Sequence, residues 1–126
     1  MSRTNGKRPK PRVLVVDDER VIADTLSTIL NQNGFEASTA YSGITAVDRA
    51  REIRPELVIS DVIMQDMNGI EAAIRIREIL PGCKILLFSG QAATADLLER
   101  ARSQGHEFEI LAKPVHPQDL LAKLKL

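Results

Sequence analysis

Five short apolar runs, each followed by a helical pattern, constrain the fold of this chain more than any other feature. We interpret these runs as strands; they comprise residues 13–16, 36–40, 57–60, 85–88 and 108–112. The segments that follow them place apolar residues three and four positions apart, which is typical of a helix with one buried face. Such strand–helix repeats predict an α/β fold, in which helices cover both faces of a parallel sheet.

The five predicted helices have recognisable starts and stops. Ser42 is a candidate N-cap, Asn68 and Gly69 open the third helix, and Pro117 suits the first position of the last one. The helices run over residues 19–33, from Ser42 to before Pro55, from Asn68 to before Pro81, over residues 94–104, and from His116 to Leu124.

Length and composition restrict the class of protein. A chain of 126 residues fits one domain, and no apolar stretch approaches the ~20 residues that a membrane span needs. The first twelve residues lack the apolar stretch of a signal peptide, so we expect a cytoplasmic protein. The single Cys83 cannot form an internal disulfide, which agrees with a reducing compartment.

Charge is distributed unevenly along the chain. Five of the 17 basic residues lie in the first twelve positions, which leaves twelve basic against 17 acidic residues, a net charge of −5, for the rest. We expect residues 1–11 to form a flexible basic leader and residues 12–126 to form the folded domain. An acidic body is not typical of a nucleic-acid groove, and we expect neither nucleic-acid nor membrane binding.

Residues whose side chains can bind ligands or react follow four of the five predicted strands. They are Asp17 and Asp18, Asp61, Ser89, and Lys113 with Pro114. The carboxyl ends of parallel strands lie at one edge of the sheet, where ligands of such folds bind. Three carboxylates, a hydroxyl and an amine at that edge predict a site for a divalent cation and a phosphoryl group.

Each of these residues also has a simpler interpretation. Asp17 or Asp18 could cap the first helix, Asp61 could form a turn, and Ser89 could do the same. Two adjacent acids raise each other's pKa, however, and a cation such as Mg²⁺ would relieve that repulsion. A carboxylate at the end of a buried strand can also act as a nucleophile towards a phosphoryl group.

The same residues resemble a known family, the receiver domains of bacterial two-component response regulators. The resemblance lies in Val-Val-Asp17-Asp18-Glu19, Ile-Ser-Asp61-Val-Ile-Met64, Met67-Asn68-Gly69, Phe88-Ser89-Gly90 and Ala112-Lys113-Pro114. It covers residues 11–126. It implies the flavodoxin-like fold of the chemotaxis receiver, a doubly wound five-stranded parallel sheet of order 2-1-3-4-5 with five helices.

The resemblance also implies a role for each site residue. Asp61 would accept the phosphoryl group; Asp18, Asp61 and the main-chain carbonyl of Ile63 would bind Mg²⁺, or Mn²⁺ in its place, and Asp17 would assist through water. Ser89 and Lys113 would hold the phosphoryl oxygens, and the bond between Lys113 and Pro114 is expected to be cis.

The implied partners are a phosphoryl donor and a target. A sensor histidine kinase or histidine phosphotransfer protein would supply the phosphoryl group. Phosphorylation would then change the surface of the fourth helix, fifth strand and fifth helix towards an unknown downstream protein. We expect a monomer or a phosphorylation-linked dimer. The sequence ends within the fifth predicted helix, which fits a stand-alone receiver or a fragment of a longer regulator.

Three positions depart from the family pattern. Gln65 stands where proline is frequent, four residues after the acceptor, and Ile110 stands where an aromatic residue is common. Phe108 lies on the same strand face but about 6 to 7 Å further back. Ile63 cannot orient an attacking water, whereas Gln91 can, so we expect a longer-lived phosphoryl group than in receivers with polar groups at both places.

Two other classes of protein compete with a phosphorelay acceptor. The first is an enzyme, a phosphotransferase or phosphatase that turns over an external substrate through an aspartyl phosphate. The haloacid dehalogenase phosphatases have a second Asp two residues after the nucleophile, where this chain has Ile63. The second is a receiver-like interaction module that is never phosphorylated. We expect a phosphorelay acceptor that catalyses only its own phosphorylation and dephosphorylation.

Overall fold

The five apolar runs form the five strands of one parallel sheet. The computed structural model describes residues 9–90 and 94–124. Numbered in chain order, the strands lie in the sheet in the order 2-1-3-4-5, as the resemblance implied. The strands are β1 (Arg12–Val16), β2 (Glu36–Ala40), β3 (Leu57–Asp61), β4 (Lys84–Ser89) and β5 (Glu109–Ala112). Each neighbouring pair is parallel, so their carboxyl ends share one edge.

The helices follow the strands with ends close to those predicted. Ser42 and Asn68 act as N-caps, since their side chains accept hydrogen bonds from the N–H groups of Thr45 and Glu71. The fourth helix ends one residue earlier than expected. The helices are α1 (Arg20–Gln32), α2 (Gly43–Ile53), α3 (Gly69–Ile79), α4 (Thr94–Ser103) and α5 (Pro117–Leu124).

Two apolar layers cover the sheet, because alternate residues of each inner strand face opposite sides. Val13 and Val15 pack with residues of α1 and α5, whereas Leu14 and Val16 pack with residues of α2, α3 and α4. All four valine and leucine side chains of β1 from 13 to 16 are fully buried. Burying one such side chain contributes about 1.5–3 kcal/mol, so the central strands are held firmly from both faces.

The chain reverses its direction across the sheet at β1 and β3. From β1 it moves outward to β2, and it then returns to the other side of β1 with β3 and continues to β4 and β5. Loops on the two sides of this point diverge and leave a crevice at the carboxyl edge. The crevice therefore lies where β1 ends before Asp17 and where β3 ends at Asp61.

The predicted leader is only partly within the described residues. Residues 1–8 lie outside them, and Pro9 and Lys10 are exposed. The carbonyl of Pro11 accepts a hydrogen bond of 2.9 Å from the N–H of Glu36, so this residue already belongs to the edge of the sheet. None of the helices described is long and apolar enough to cross a bilayer.

Gly69 brings the start of α3 against the last residue of β3. A Cβ atom at this position would collide with the main-chain carbonyl oxygen of Asp61. The N–H of Gly69 also donates a 2.7 Å hydrogen bond to the carbonyl of Val62. The loop after β3 can close this tightly only because residue 69 has no side chain.

We expect Gly69→Ala to lower the free energy of unfolding by about 1–3 kcal/mol, the usual cost of overpacking a closed site. Urea denaturation followed by circular dichroism measures the change. Gly82→Ala is the matched control, because a Cβ there meets no atom within 4 Å. Equal stability of the two variants would contradict the steric role of Gly69.

Candidate functional site

The carboxylates predicted to converge do lie together at the carboxyl edge. Asp17 follows β1, Asp18 comes next, and Asp61 is the last residue of β3. One carboxylate oxygen from each lies within 4.8 Å of the others. Asp17 and Asp61 are buried, whereas Asp18 is exposed. The cluster thus has two buried members and one that faces solvent.

Asp17 is held by the backbone at the start of α1 but does not cap that helix. Its Oδ1 accepts a 2.9 Å hydrogen bond from the N–H of Glu19, and Glu19 occupies the N-cap position. Neither Asp17 nor Asp18 is the cap, so the simpler interpretation of these acids is wrong. The side chain of Glu19 makes no capping hydrogen bond at this end of α1.

The second oxygen of Asp17 is the feature that most favours a cation. Of the buried side-chain oxygen and nitrogen atoms in the described residues, Asp17 Oδ2 is the one that lacks a hydrogen-bond partner. Burial raises the pKa of Asp17, the N–H of Glu19 opposes this, and the charge of Asp61 raises the pKa further. A buried polar atom without a partner is costly, and a cation would satisfy it.

The donor set fits Mg²⁺. This ion prefers oxygen ligands, uses one or two carboxylates, and keeps waters or phosphate oxygens in its remaining positions. Asp18 and Asp61 both line the cleft described below, and Asp17 lies beside them. The residues present therefore match the chemistry of a small divalent cation.

Lys113 reaches Asp61 from the other side of the site. Its Nζ donates a 2.8 Å hydrogen bond to Asp61 Oδ2, across 52 residues of sequence. Burial lowers the pKa of Lys113, but the hydrogen bond and charge of Asp61 outweigh this and raise it. The lysine is therefore charged at neutral pH, next to the proposed acceptor. The bond between Lys113 and Pro114 is cis, as expected.

Ser89 is joined to Lys113 through the backbone. Ser89 is the last residue of β4, and its carbonyl accepts a 3.1 Å hydrogen bond from the N–H of Lys113. A Cβ on the following Gly90 would lie 3.0 Å from the Cβ of Lys113, so the two segments pack closely. Gln91, considered as a group that orients water, lies outside the described residues.

These residues line one open cleft of about 430 Å³. Carboxylates, a hydroxyl and an ammonium group meet there beside the loop after β3. Asp17 is not part of the lining. The lining residues are Asp18, Glu19, Asp61, Ile63, Met64, Gln65, Ser89, Gly90 and Lys113.

A larger and more apolar cavity of about 560 Å³ lies at the opposite edge of the sheet. Its walls include Arg12, Leu57 and Lys84, which are the first residues of β1, β3 and β4. The acidic cluster is absent from this wall. The converging chemical groups are therefore confined to the carboxyl edge.

Sequence reasoning missed one residue of the loop that follows β3. Asp66 accepts hydrogen bonds from the N–H groups of Gly43 and Ile44, at 3.0 and 2.9 Å. These residues lie more than 20 positions away in sequence. The first turn of a helix attracts carboxylates, but only the folded chain shows which helix Asp66 meets.

Comparison with known proteins agrees with the geometry. Residues 13–125 match the family described as the response regulator receiver domain. The chain is similar to the chemotaxis protein CheY of Thermotoga maritima, at 33% identity over 114 residues, covering 90% of this chain and 93% of that protein. It is equally similar to the probable transcriptional regulatory protein TcrX of Mycobacterium tuberculosis, with 33% identity over 113 residues.

Coverage differs between these relatives. The match covers 90% of this chain but 47% of TcrX, so the chain spans about half the length of that curated regulator. A solved structure of the chemotaxis protein CheY4 of Vibrio cholerae has a TM-score of 0.81 and 30% identity, and covers 91% of this chain and 96% of that one. On the family match, the relatives and the carboxyl-edge site together, this chain belongs to the response regulator receiver domains.

Proposed function

We propose that this receiver domain is phosphorylated on Asp61. The observation that carries the proposal is the position of this carboxylate, buried at the end of the central strand, 2.8 Å from Lys113 Nζ and beside Asp17 and Asp18. Receiver domains take phosphoryl groups from histidine kinases or phosphotransfer proteins. A sensor kinase or phosphotransfer protein is accordingly the donor in this proposal.

In the transfer step, an oxygen of Asp61 attacks the phosphorus atom of a phosphohistidine. The phosphorus–nitrogen bond breaks, and the imidazole nitrogen keeps the bonding electron pair. Lys113 balances charge on the acceptor before transfer and on the phosphoryl oxygens afterwards. The hydroxyl of Ser89, a residue that lines the same cleft, would donate to those oxygens.

Asp17, Asp18, Asp61 and the main-chain carbonyl of Ile63 would hold Mg²⁺, with Mn²⁺ as an alternative. When bound, the cation would neutralise part of the charge on the phosphoryl oxygens. Support comes from the oxygen of Asp17 that lacks a partner and from the spacing of the three carboxylates. Ile63 lines the cleft directly after the acceptor strand.

The proposed output surface is formed by α4, β5 and α5. Ser89 ends β4, before α4, and Lys113 lies between β5 and α5, so movement of these two residues towards a phosphoryl group would displace the surface. The ion pair between Lys123 of α5 and Glu109 of β5, at 3.4 Å, makes these two elements part of one surface. The downstream partner is a protein, and the assembly is a monomer or a phosphorylation-linked dimer.

The proposal keeps the chain as a phosphorelay acceptor that catalyses only its own phosphorylation and dephosphorylation. In this proposal residues 1–11 form a basic leader ahead of the receiver, with Pro11 bonded to the start of β2, and the compartment is the cytoplasm. The chain matches CheY along 93% of its length and TcrX along 47%, which agrees with a stand-alone receiver and with the receiver part of a longer regulator alike.

Acetyl phosphate with Mg²⁺ tests the acceptor. We expect intact-mass spectrometry to show the gain of one phosphoryl group in the wild type and none in Asp61→Asn, because the amide is not a nucleophile. Asp48→Asn is the matched control, since Asp48 is an exposed acid on α2. Sustained release of phosphate at a rate typical of an enzyme would favour the turnover alternative, and no gain in the wild type would favour the silent module.

Asp17→Asn tests the cation site by stability. We expect this variant, without Mg²⁺, to melt higher than the wild type, because one of three crowded carboxylate charges is removed; each 1 kcal/mol gained corresponds to on the order of 4 °C for a domain of this size. Mg²⁺ should raise the melting temperature of the wild type but that of the variant much less.

The pH dependence of this difference has a defined sign. The pKa of Asp17 in the folded protein is raised above its ordinary 3.8. As the pH falls from 7 towards 3.8, the folded state takes up a proton before the unfolded state does, so the free energy of unfolding of the wild type rises relative to that of Asp17→Asn. The advantage of Asp17→Asn should therefore shrink on acidification. A variant that is less stable than the wild type at pH 7 would contradict the assignment.

Ile63→Asn tests the lifetime of the phosphoryl group. Ile63 is 42% exposed and lines the cleft, where its hydrocarbon side chain cannot hold a water. One added hydrogen bond to the attacking water should speed hydrolysis by about fivefold to tenfold. Decay of the phosphorylated mass after removal of acetyl phosphate measures this, with Ile44→Asn, which changes an exposed isoleucine outside the cleft, as the control. An unchanged decay rate would show that position 63 does not limit hydrolysis.

A further inference from the structure

The loop that follows the acceptor strand is fixed to a distant helix by Asp66, and we propose that this makes Asp66 a positioning residue for the phosphorylation site. The loop comprises residues 62–68. This inference rests on the proposed function, in which Asp61 is the acceptor and Ile63 contributes a ligand for the cation. Asp66 itself is exposed and does not line the cleft.

The carboxylate of Asp66 binds the first turn of α2 with both oxygens. Oδ1 accepts from the N–H of Gly43 at 3.0 Å, and Oδ2 accepts from the N–H of Ile44 at 2.9 Å. The N–H groups at the start of a helix have no partner within the helix, and the helix dipole adds attraction for a negative charge. The hydrogen bond from Ile44, with that from Gly43, lowers the pKa of Asp66, so the group is charged at neutral pH.

The N-cap of α2 satisfies only one of the N–H groups at the start of this helix. Ser42 Oγ accepts from the N–H of Thr45 at 3.1 Å, and the carbonyl of Ser42 accepts from the N–H of Ala46 at 2.9 Å. The bond from Thr45 is the cap and the bond from Ala46 is the first bond within the helix, so the N–H groups of Gly43 and Ile44 are the ones that bind Asp66. The local cap of α2 therefore leaves two donors that a carboxylate from another segment can bind.

A second contact holds the same loop against the same helix. A Cβ on Gly43 would lie 2.8 Å from Met67 Cβ and 3.1 Å from the Met67 carbonyl oxygen. Met67 is partly buried and packs on the core beneath α2 and α3. The loop therefore lies directly on the helix start, and glycine at position 43 leaves the room that this approach requires.

These contacts fix the middle of a loop whose ends are already held. Ile63 N–H donates to Asp61 Oδ1 at 3.3 Å, and Gly69 N–H donates to the carbonyl of Val62. Between them, no proline restricts the backbone from residue 62 to residue 68. Ile63, Met64 and Gln65 line the cleft in this stretch, so the position of the cleft wall depends on Asp66.

Three variants separate positioning from simple helix capping. Asp66→Ala removes both contacts with α2, and Asp66→Asn retains one acceptor oxygen and so should restore part of the effect. Ser42→Ala is the matched control, since it removes a cap from the same helix without touching the loop. Both alanine variants should lower the melting temperature by comparable amounts.

Two measurements read out the loop and the site. Hydrogen exchange of the amides of residues 62–68 should accelerate in Asp66→Ala and stay as in the wild type in Ser42→Ala. The Mg²⁺ concentration for half-maximal phosphorylation by acetyl phosphate should rise about tenfold in Asp66→Ala, the lower end of the cost of removing groups that orient metal ligands. Ser42→Ala should keep the wild-type value.

Gly43→Ala approaches the same loop from the other side. The new methyl group would push Met67 away while leaving the charge of Asp66 intact. We expect it to raise the Mg²⁺ requirement as Asp66→Ala does, because the displaced element is the same.

Matching exchange rates and Mg²⁺ requirements in Asp66→Ala and Ser42→Ala would overturn the inference and leave Asp66 as a helix cap. Failure of the wild type to gain a phosphoryl group is a failure of the proposed function instead. The exchange measurement needs no phosphorylation, so unchanged exchange of residues 62–68 in Asp66→Ala overturns the positioning role whatever the phosphorylation result.

Discussion

The crowding of negative charge at the carboxyl edge of the sheet is the constraint on which the rest of this structure depends. Three carboxylates share a space in which their oxygens lie within 4.8 Å of one another, and two of them are buried. Such an arrangement is unfavourable without compensation. The fully buried strands β1 and β3 hold the acids in place, and Lys113 offsets part of their charge at Asp61. Burial of the central strands therefore offsets the electrostatic repulsion among the carboxylates of the site.

Most of the fold and the main site groups could be predicted from the sequence because both follow from short-range patterns. Apolar runs marked the strands, and parallel strands bring their carboxyl ends together, which was enough to group Asp17, Asp61 and Lys113. Some strand ends differ by one residue from the apolar runs. The run predicts Phe108 in the fifth strand, which begins at Glu109. Asp61 and Ser89 are the last residues of their strands, whereas the runs place them just beyond the strand ends. Such shifts are common where hydrogen bonding decides the boundary.

Contacts that depend on how a particular loop meets a particular helix could not be predicted. The bonding of Asp66 to α2 depends on how two loops meet, and nothing in residues 62–68 identifies that helix. The environment of Phe108 is a second case. The guanidinium of Arg77 lies 4.3 Å from its ring centroid, and the ring of His106 stacks with it at 6.4 Å. Nothing in the sequence around Phe108 indicates that Arg77 of α3 lies over its ring.

The backbone hydrogen bond between Lys113 and Ser89 has a consequence for how the two strands can respond. Ser89 ends β4 and pairs with Ala112 of β5, and the next N–H along β5 bonds to the Ser89 carbonyl at 3.1 Å. The main chains of Ser89 and Lys113 are therefore joined at the end of the sheet, so a displacement of one strand end is passed to the other. Because β5 is the outer strand of the sheet, a protein bound along its exposed side would press on both groups together. Thermodynamic linkage then requires that such a partner change the equilibrium constant for phosphorylation of Asp61. The factor is the one by which phosphorylation changes the partner's affinity.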